Sequence, residues 1–209
     1  MNLRTKKKMH PRKYLSYSQM TLWEYSPEAY FKQYLDKKRR GTNRGMALGK
    51  EVANALETDE ETGDFEKDAV IAMMPKYEIR DKEMFANLAL GKQTVPILIK
   101  IDSLKIDYSA FYEYKTGAGP WTQEMVDKDD QVTFYATGLY NLSKKIPDAE
   151  LIWAPTRKEE DPDGIERPHL TGQIIRFPTR RTKVDIFKMQ ARMSRAWREI
   201  GEAMEAQIV

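Results

Sequence analysis

Apolar residues recur at helical spacing near both ends of the chain and at strand spacing in its middle. Ile186, Met189, Met193, Trp197, Ile200 and Met204 fall at intervals of three and four, which predicts a long amphipathic helix from Thr182 to about Ala206. Its methionine-rich stripe reads as core, because it carries most of the apolar surface available to cover a sheet. Near the start, Ser18 caps a short helix through Tyr25. Ser26-Pro27 then joins a cap to a proline at the first helical position and opens a second helix to about Leu35. Tyr30, Phe31, Tyr34 and Leu35 recur at helical spacing and have packing as their default role. Met46 to Leu56 is a third helix with Leu48, Val52 and Leu56 as its apolar stripe, and acidic Thr58 to Asp68 reads as a solvated loop and helix start.

The middle of the chain alternates differently. Val95 to Asp102 reads as a strand with Ile97, Ile99 and Ile101 on one face and Lys100 and Asp102 on the other. A turn near Asp107 to Ser109 folds it back on Phe111 to Lys115, which would set Asp102 beside Glu113 across a hairpin. Trp121 to Leu142 reads as helix over most of its length, with Gln131, Tyr135 and Leu139 on one face. Leu151 to Ala154 is apolar enough for a buried strand, Arg157 to Pro168 is a hairpin tip or loop, and Gln173 to Pro178 is a further strand. Helices, a hairpin, a helix, more strands and a closing helix imply an α/β or α+β core.

Composition narrows the chemistry. The chain of 209 residues, 41% hydrophobic and 32% charged, suits one soluble domain, expected over residues 14–209 behind a basic tail at 1–13. No apolar run has the length of a membrane span and no hydrophobic stretch follows the basic N-terminus, so a cytoplasmic protein is expected. The absence of cysteine excludes disulfides, cysteine nucleophiles and cysteine-held iron–sulfur clusters. His10 and His169 are the only histidines and show no partner spacing. Any metal site must therefore be mainly carboxylate, which suits Mg²⁺ or Mn²⁺. Net charge is only +3, yet Met1 to Lys13 and Lys37 to Arg40 with Arg44 are clusters of positive charge. Such runs attract phosphate backbones, and they equally describe a solvated tail and helix end.

The candidate site is Ile101-Asp102 followed by Glu113-Tyr114-Lys115-Thr116-Gly117. In a strand Glu113 and Lys115 point one way and Tyr112 and Tyr114 the other. Two acids and a lysine so placed are what metal-assisted cleavage of a phosphodiester requires. The alternative is an exposed hairpin in which Lys115 pairs with the acids. Tyr108, Phe111, Tyr112, Tyr114 and Trp121 surround this hairpin, as base-stacking platforms or as strand core, with core preferred for Tyr112 and Tyr114.

Several signatures in order resemble the PD-(D/E)XK nuclease superfamily, in particular its RecB-like branch of phage and CRISPR-associated exonucleases. They are Leu15-Ser16-Tyr17-Ser18 leading to Ser26-Pro27 and Tyr30-Phe31, the glycine-led stretch Gly45 to Glu57, Ile101-Asp102, Glu113 to Gly117, and Gln131 with Tyr135 four residues on. The resemblance covers roughly residues 14–142 and implies a restriction-endonuclease-like core, a mixed central sheet flanked by helices. It implies that Asp102, Glu113 and the Tyr114 carbonyl hold one or two Mg²⁺ or Mn²⁺ ions. Lys115 would orient the attacking hydroxide, and Gln131 and Tyr135 would brace the site or touch DNA.

Two positions depart from the pattern. Ser26 stands where some relatives carry a cluster-binding cysteine, so no iron–sulfur cluster is expected. Ala53 stands where many relatives have a metal-binding histidine. Glu51 is the first candidate to replace it and Glu57 the second, with a solvent-facing glutamate as the alternative for each. The resemblance implies a DNA nuclease, foremost an exonuclease at linear or single-stranded ends in phage or mobile-element recombination and repair. A structure-selective or restriction-like endonuclease, or a weakly catalytic DNA-binding accessory module, are the alternatives. Partners would be DNA and a recombinase or single-strand-binding protein, in the host cytosol if the chain is phage-encoded. No Walker-type loop is present, so ATP-driven action by this chain alone is not expected.

Overall fold

The protein is seen in a computed structural model that describes residues 10, 12–36, 44–90 and 93–207. The basic stretches at positions 1–9 and 37–40 lie outside these residues.

A short strand β1 (Leu15–Ser16) leads into helices α1 (Tyr17–Tyr25) and α2 (Pro27–Tyr34). Ser26 caps α2 with Pro27 in its first turn, as the sequence predicts, but α1 is capped by Ser16 rather than Ser18. The Ser16 side chain accepts the Gln19 N–H, so α1 starts one residue before Ser18. Helices α3 (Arg44–Thr58) and α4 (Phe65–Met73) follow, the second capped by Asp64. Strands β2 (Ile79–Leu90), β3 (Gln93–Leu104) and β4 (Ala110–Gly117) come next. The expected Trp121 to Leu142 helix is two helices, α5 (Gln123–Asp127) and α6 (Asp130–Ser143), because Asp129 turns out of the helix and caps α6. The chain ends with β5 (Asp148–Glu160), β6 (Glu166–Leu170), β7 (Ile175–Arg180) and α7 (Lys183–Gln207).

One mixed seven-stranded sheet is formed. Strand β3 pairs antiparallel with β2 along its whole length, and on its other edge meets β1 in parallel and β4 antiparallel. Strands β4 and β5 run parallel, joined through α5 and α6, and β6 and β7 pair antiparallel with β5. Helices cover both faces. Ile97, Ile99, Ile101 and Phe111 pack with α1, α6 and α7, whose stripe of Ile186, Met189, Met193, Ile200 and Met204 is buried as predicted. The other face sets Tyr112, Ile152 and Ala154 against Leu48, Val52 and Leu56 of α3 and Val70 and Ile71 of α4. This is the mixed sheet flanked by helices expected of a restriction-endonuclease-like core.

Two close approaches set the depth of the site. A Cβ on Gly138 would lie 2.6 Å from Ile99 Cγ2, so glycine lets α6 settle onto β3. A Cβ on Gly49 would lie 3.0 Å from Thr116 Oγ1, which brings α3 down onto β4. Strand β2 has no counterpart in the sequence reading. Its alternation is confined to Met84, Ala86 and Leu88, behind the charged run Arg80 to Glu83.

Candidate active site

The expected β3–β4 hairpin exists, but its ladder holds only Ser103 with Tyr112 and Leu104 with Phe111. The next pair would be Asp102 with Glu113, and there the strands part. The Asp102 carboxylate enters the fork and accepts the Tyr114 N–H at 2.8 Å, replacing a ladder bond with a side-chain bond. Burial pushes the Asp102 carboxyl up, while the Tyr114 N–H and the Lys115 charge pull it back.

Glu113 and Lys115 point to the α6 face, as strand alternation requires. Glu113 is only 2% exposed. Lys115 Nζ donates to Glu113 Oε1 at 2.6 Å and to Gln131 Oε1 at 2.8 Å, and Gln131 Nε2 donates to the Tyr135 hydroxyl at 3.0 Å. The i, i+4 spacing on α6 thus converts into a chain of hydrogen bonds ending on the ammonium. Burial alone would lower the Lys115 pKa, but the charge and hydrogen bond of Glu113 reverse this and keep the ammonium protonated. Glu113 is pushed up to about 8 by burial and by the Asp102 charge, with Lys115 opposing. Its Oε2 is buried with no hydrogen-bond partner among the described residues. Tyr135 is likewise raised, first by burial and then by Glu113.

Tyr112 and Tyr114 lie on the opposite face, where Tyr112 stacks on Tyr77 with centroids 4.2 Å apart and the Tyr114 hydroxyl donates to Pro75 O at 2.7 Å. Both are core-side residues. His10 stacks on Trp197, and His169 pairs with Asp161 at 2.9 Å, away from this group.

Helix α3 meets the site through a cavity of about 530 Å³ that reaches Asp102, Tyr114 and Lys115, and the helix presents Gly45, Met46, Gly49, Lys50, Val52 and Ala53 to it. Glu51 is not brought to this group. It points to α4, where Lys67 Nζ sits 3.0 Å from its Oε1, because residues two apart on a helix do not share a face with Gly49 and Ala53. Glu57 is exposed and hydrogen-bonded to Asp81, whose charge also raises the Glu57 carboxyl.

Asp81 is a residue that sequence reasoning missed. Arg80 pairs with Ser103 and Lys82 with Ile101, so Asp81 stands across β2–β3 from Asp102. Its φ of 41° lies in the left-handed region, and it pairs with Lys100 at 2.9 Å. Like charges directly opposite on neighbouring strands repel. The unusual backbone and the Lys100 pair relieve that repulsion, and no local signal in the sequence marks it because the strand itself went unrecognised.

The residues present fit a divalent cation. Asp102 and Glu113 offer two carboxylates, one with an orphaned buried oxygen and a raised pKa that a cation would satisfy together. No group of three His, Asp or Glu able to hold a metal occurs among the described residues. Two carboxylates completed by substrate phosphate and water is a normal Mg²⁺ arrangement.

Among the described residues, no helix is long and apolar enough to cross a membrane. No known family profile matches the sequence, and no curated protein does so. Among solved structures, a protein named SSO0001 is similar over 85% of this chain and 64% of its own at 14% identity, with a TM-score of 0.36 that supports no comparison. A protein from Eubacterium rectale, provisionally described as an exonuclease, is similar over 97% of this chain and 88% of its own, with 14% identity and a TM-score of 0.55. The chain therefore shares its fold with that protein.

Proposed function

We propose that the protein is a metal-dependent DNA nuclease of the PD-(D/E)XK type, acting foremost as an exonuclease at DNA ends. The observation that carries this reading is the fork at Asp102 and Glu113, with Lys115 held beside it by Gln131. It combines a raised acid with an orphaned buried oxygen and a fixed ammonium, beside a cavity that Asp102 and Lys115 reach.

When bound, Mg²⁺ or Mn²⁺ would lower the pKa of a water and neutralise charge on the scissile phosphate. Asp102 and Glu113, with the Tyr114 carbonyl, would hold the ion. Glu113 would have to be ionised to serve as a ligand, and its raised pKa sets that cost. Lys115 stays charged, orients the attacking oxygen and stabilises the negative charge that develops on phosphorus oxygens. Gln131 fixes the rotamer of Lys115, and Tyr135 fixes that of Gln131.

The test uses end-labelled linear DNA and closed circular DNA with Mg²⁺, Mn²⁺ or EDTA, for wild type and Lys115→Ala. Degradation of the linear substrate alone supports the exonuclease, and cutting of the circle supports an endonuclease. If neither is cut with either metal while DNA is retained in a binding assay, the catalytic reading is wrong. A weakly catalytic DNA-binding module is favoured by one specific observation. The α3 face of the site carries Lys50 and Ala53 and no carboxylate.

A further inference from the structure

The α3 wall of the candidate site carries charge of the opposite sign to a metal ligand. Met46, Gly49, Lys50 and Ala53 recur at helical spacing and so share one face of α3. All four line the cavity of about 530 Å³ that also reaches Asp102 and Lys115. Gly49 is where this helix touches β4, since a Cβ there would lie 3.0 Å from Thr116 Oγ1. Lys50 is the next residue after that contact, and its side chain borders the cavity.

Nothing in the fold uses this ammonium. Lys50 is exposed and has no ion-pair partner among the described residues. The acids in and just after α3 are engaged elsewhere: Glu51 with Lys67 at 3.0 Å, Asp59 with Lys76 at 2.8 Å and with Arg80, and Glu57 with Asp81. A two-ion site sets its ions about 3.5–4 Å apart and needs anionic donors around both. Asp102 and Glu113 are the carboxylates of this site, and no group of three His, Asp or Glu able to hold a metal occurs among the described residues. Those two acids and a phosphate diester carry three negative charges. One divalent ion with Lys115 and Lys50 already brings four positive ones, and a second ion would add two more with no carboxylate from α3 to offset them.

We infer that the site takes one divalent cation and that Lys50 stands in for a second, meeting the phosphate diester from the α3 side while Lys115 meets it from the β4 side. The inference rests on the nuclease reading and assigns the charges that its substrate meets. Lys50 acts by charge and hydrogen bonding alone, as a compact ammonium does on phosphate. The absence of a carboxylate from the α3 wall is then the condition that lets an ammonium stand there.

Bound Mn²⁺ is counted by electron paramagnetic resonance, with a phosphorothioate-linked DNA oligonucleotide present so that phosphate can complete the coordination. The count is the excess over Asp102→Asn, which removes ions held by the DNA or by surface acids. Wild type should take one ion per chain. Affinity for the same oligonucleotide is then measured by fluorescence anisotropy in EDTA across a salt series. Lys50→Gln should lower the slope of log affinity against log salt by roughly one contact's worth, and Lys50→Arg should restore it. With Mn²⁺, cleavage of ordinary DNA should fall roughly 10²-fold in Lys50→Gln and largely recover in Lys50→Arg. Two ions in wild type, or none, overturns the inference, as does a wild-type salt slope in Lys50→Gln. If one ion binds and Lys50→Gln lowers the slope while wild type cuts no DNA, the nuclease reading falls and the Lys50 contact stands.

Discussion

Two cations, buried Arg181 and half-buried Lys115, touch α6, and they are satisfied in opposite ways. Arg181, 4% exposed, donates to Thr133 Oγ1 and Thr179 Oγ1 at 2.7 Å, to Val126 O at 2.9 Å and to Asp129 O at 3.0 Å. All of these acceptors are neutral. They close the α5–α6 turn against β7 and leave the guanidinium no surplus chemistry. Burial pulls the Arg181 pKa down, and the surrounding aspartates push it back. Lys115, by contrast, faces a buried acid whose second oxygen has no partner among the described residues and whose pKa is displaced upward. A buried charge with four of its five N–H donors bonded to neutral acceptors is a structural pin, whereas one left beside an unsatisfied acid is held ready for a ligand.

The largest effect separating the two regions belongs to Lys115→Ala. It should lower the cleavage rate by about 10²- to 10³-fold, and although it costs Glu113 a hydrogen bond the variant should still fold at neutral pH, because the raised acid is largely uncharged there. A rate within a few-fold of wild type, measured on end-labelled DNA with Mn²⁺, would remove Lys115 from the mechanism.

Arg181→Met should do the reverse. It removes the Arg181 donors from two hydroxyls and two carbonyls, each of which keeps another hydrogen bond, and urea unfolding should show a loss of about 1–3 kcal/mol. Activity per folded molecule should be retained, and a variant as stable as wild type but inactive would erase the distinction between pin and site.

A smaller effect follows from the sign of the Glu113 shift. Its folded pKa is raised from 4.5 to about 8, so folded metal-free protein keeps a proton that the unfolded chain gives up in this window. The associated stability is fully present below the unfolded pKa and is lost as pH rises through the folded one. In EDTA the melting temperature should therefore fall between roughly pH 5 and pH 8.5 by an amount equivalent to about 1–3 kcal/mol. Glu113→Gln should flatten that decline. Added Mn²⁺ should stabilise the wild type more at the upper end, because the ion must displace the proton. A decline that persists unchanged in Glu113→Gln assigns it to another group.

Glu51→Ala should produce the smallest change. Its partner Lys67 lies on α4 and the pair is partly exposed, so stability should move by no more than about 1 kcal/mol and cleavage should be unaffected. Loss of activity in Glu51→Ala, with Glu57→Ala active, would mean that α3 rotates toward the site when metal binds.

Much of the candidate site's geometry is legible in the sequence. Glu113 and Lys115 share a face because strand side chains alternate, and Gln131 and Tyr135 share a face because they lie one helical turn apart. Both periodicities are properties of the local backbone, and the structure joins them through Lys115. The α7 stripe was legible for the same reason, since burial of its methionines needs only one face and a sheet to cover. What could not be read was partner choice. Strand β2 hides its alternation behind charges and forms only because β3 offers it an edge, and Asp81 reaches the neighbourhood of Asp102 only through that pairing.

The amino-acid sequence by itself determined which side chains share a strand or helix face, and hence that Glu113 and Lys115 lie together and that Gln131 and Tyr135 do as well. Tertiary structure alone decided that the β3–β4 ladder stops after two pairs, opening the fork that Asp102 enters. It also decided that α3 offers Ala53 and Lys50 to the cavity while turning Glu51 toward Lys67. Periodicity is set within a few residues. The end of a ladder and the rotation of a helix depend on contacts between segments far apart in the chain.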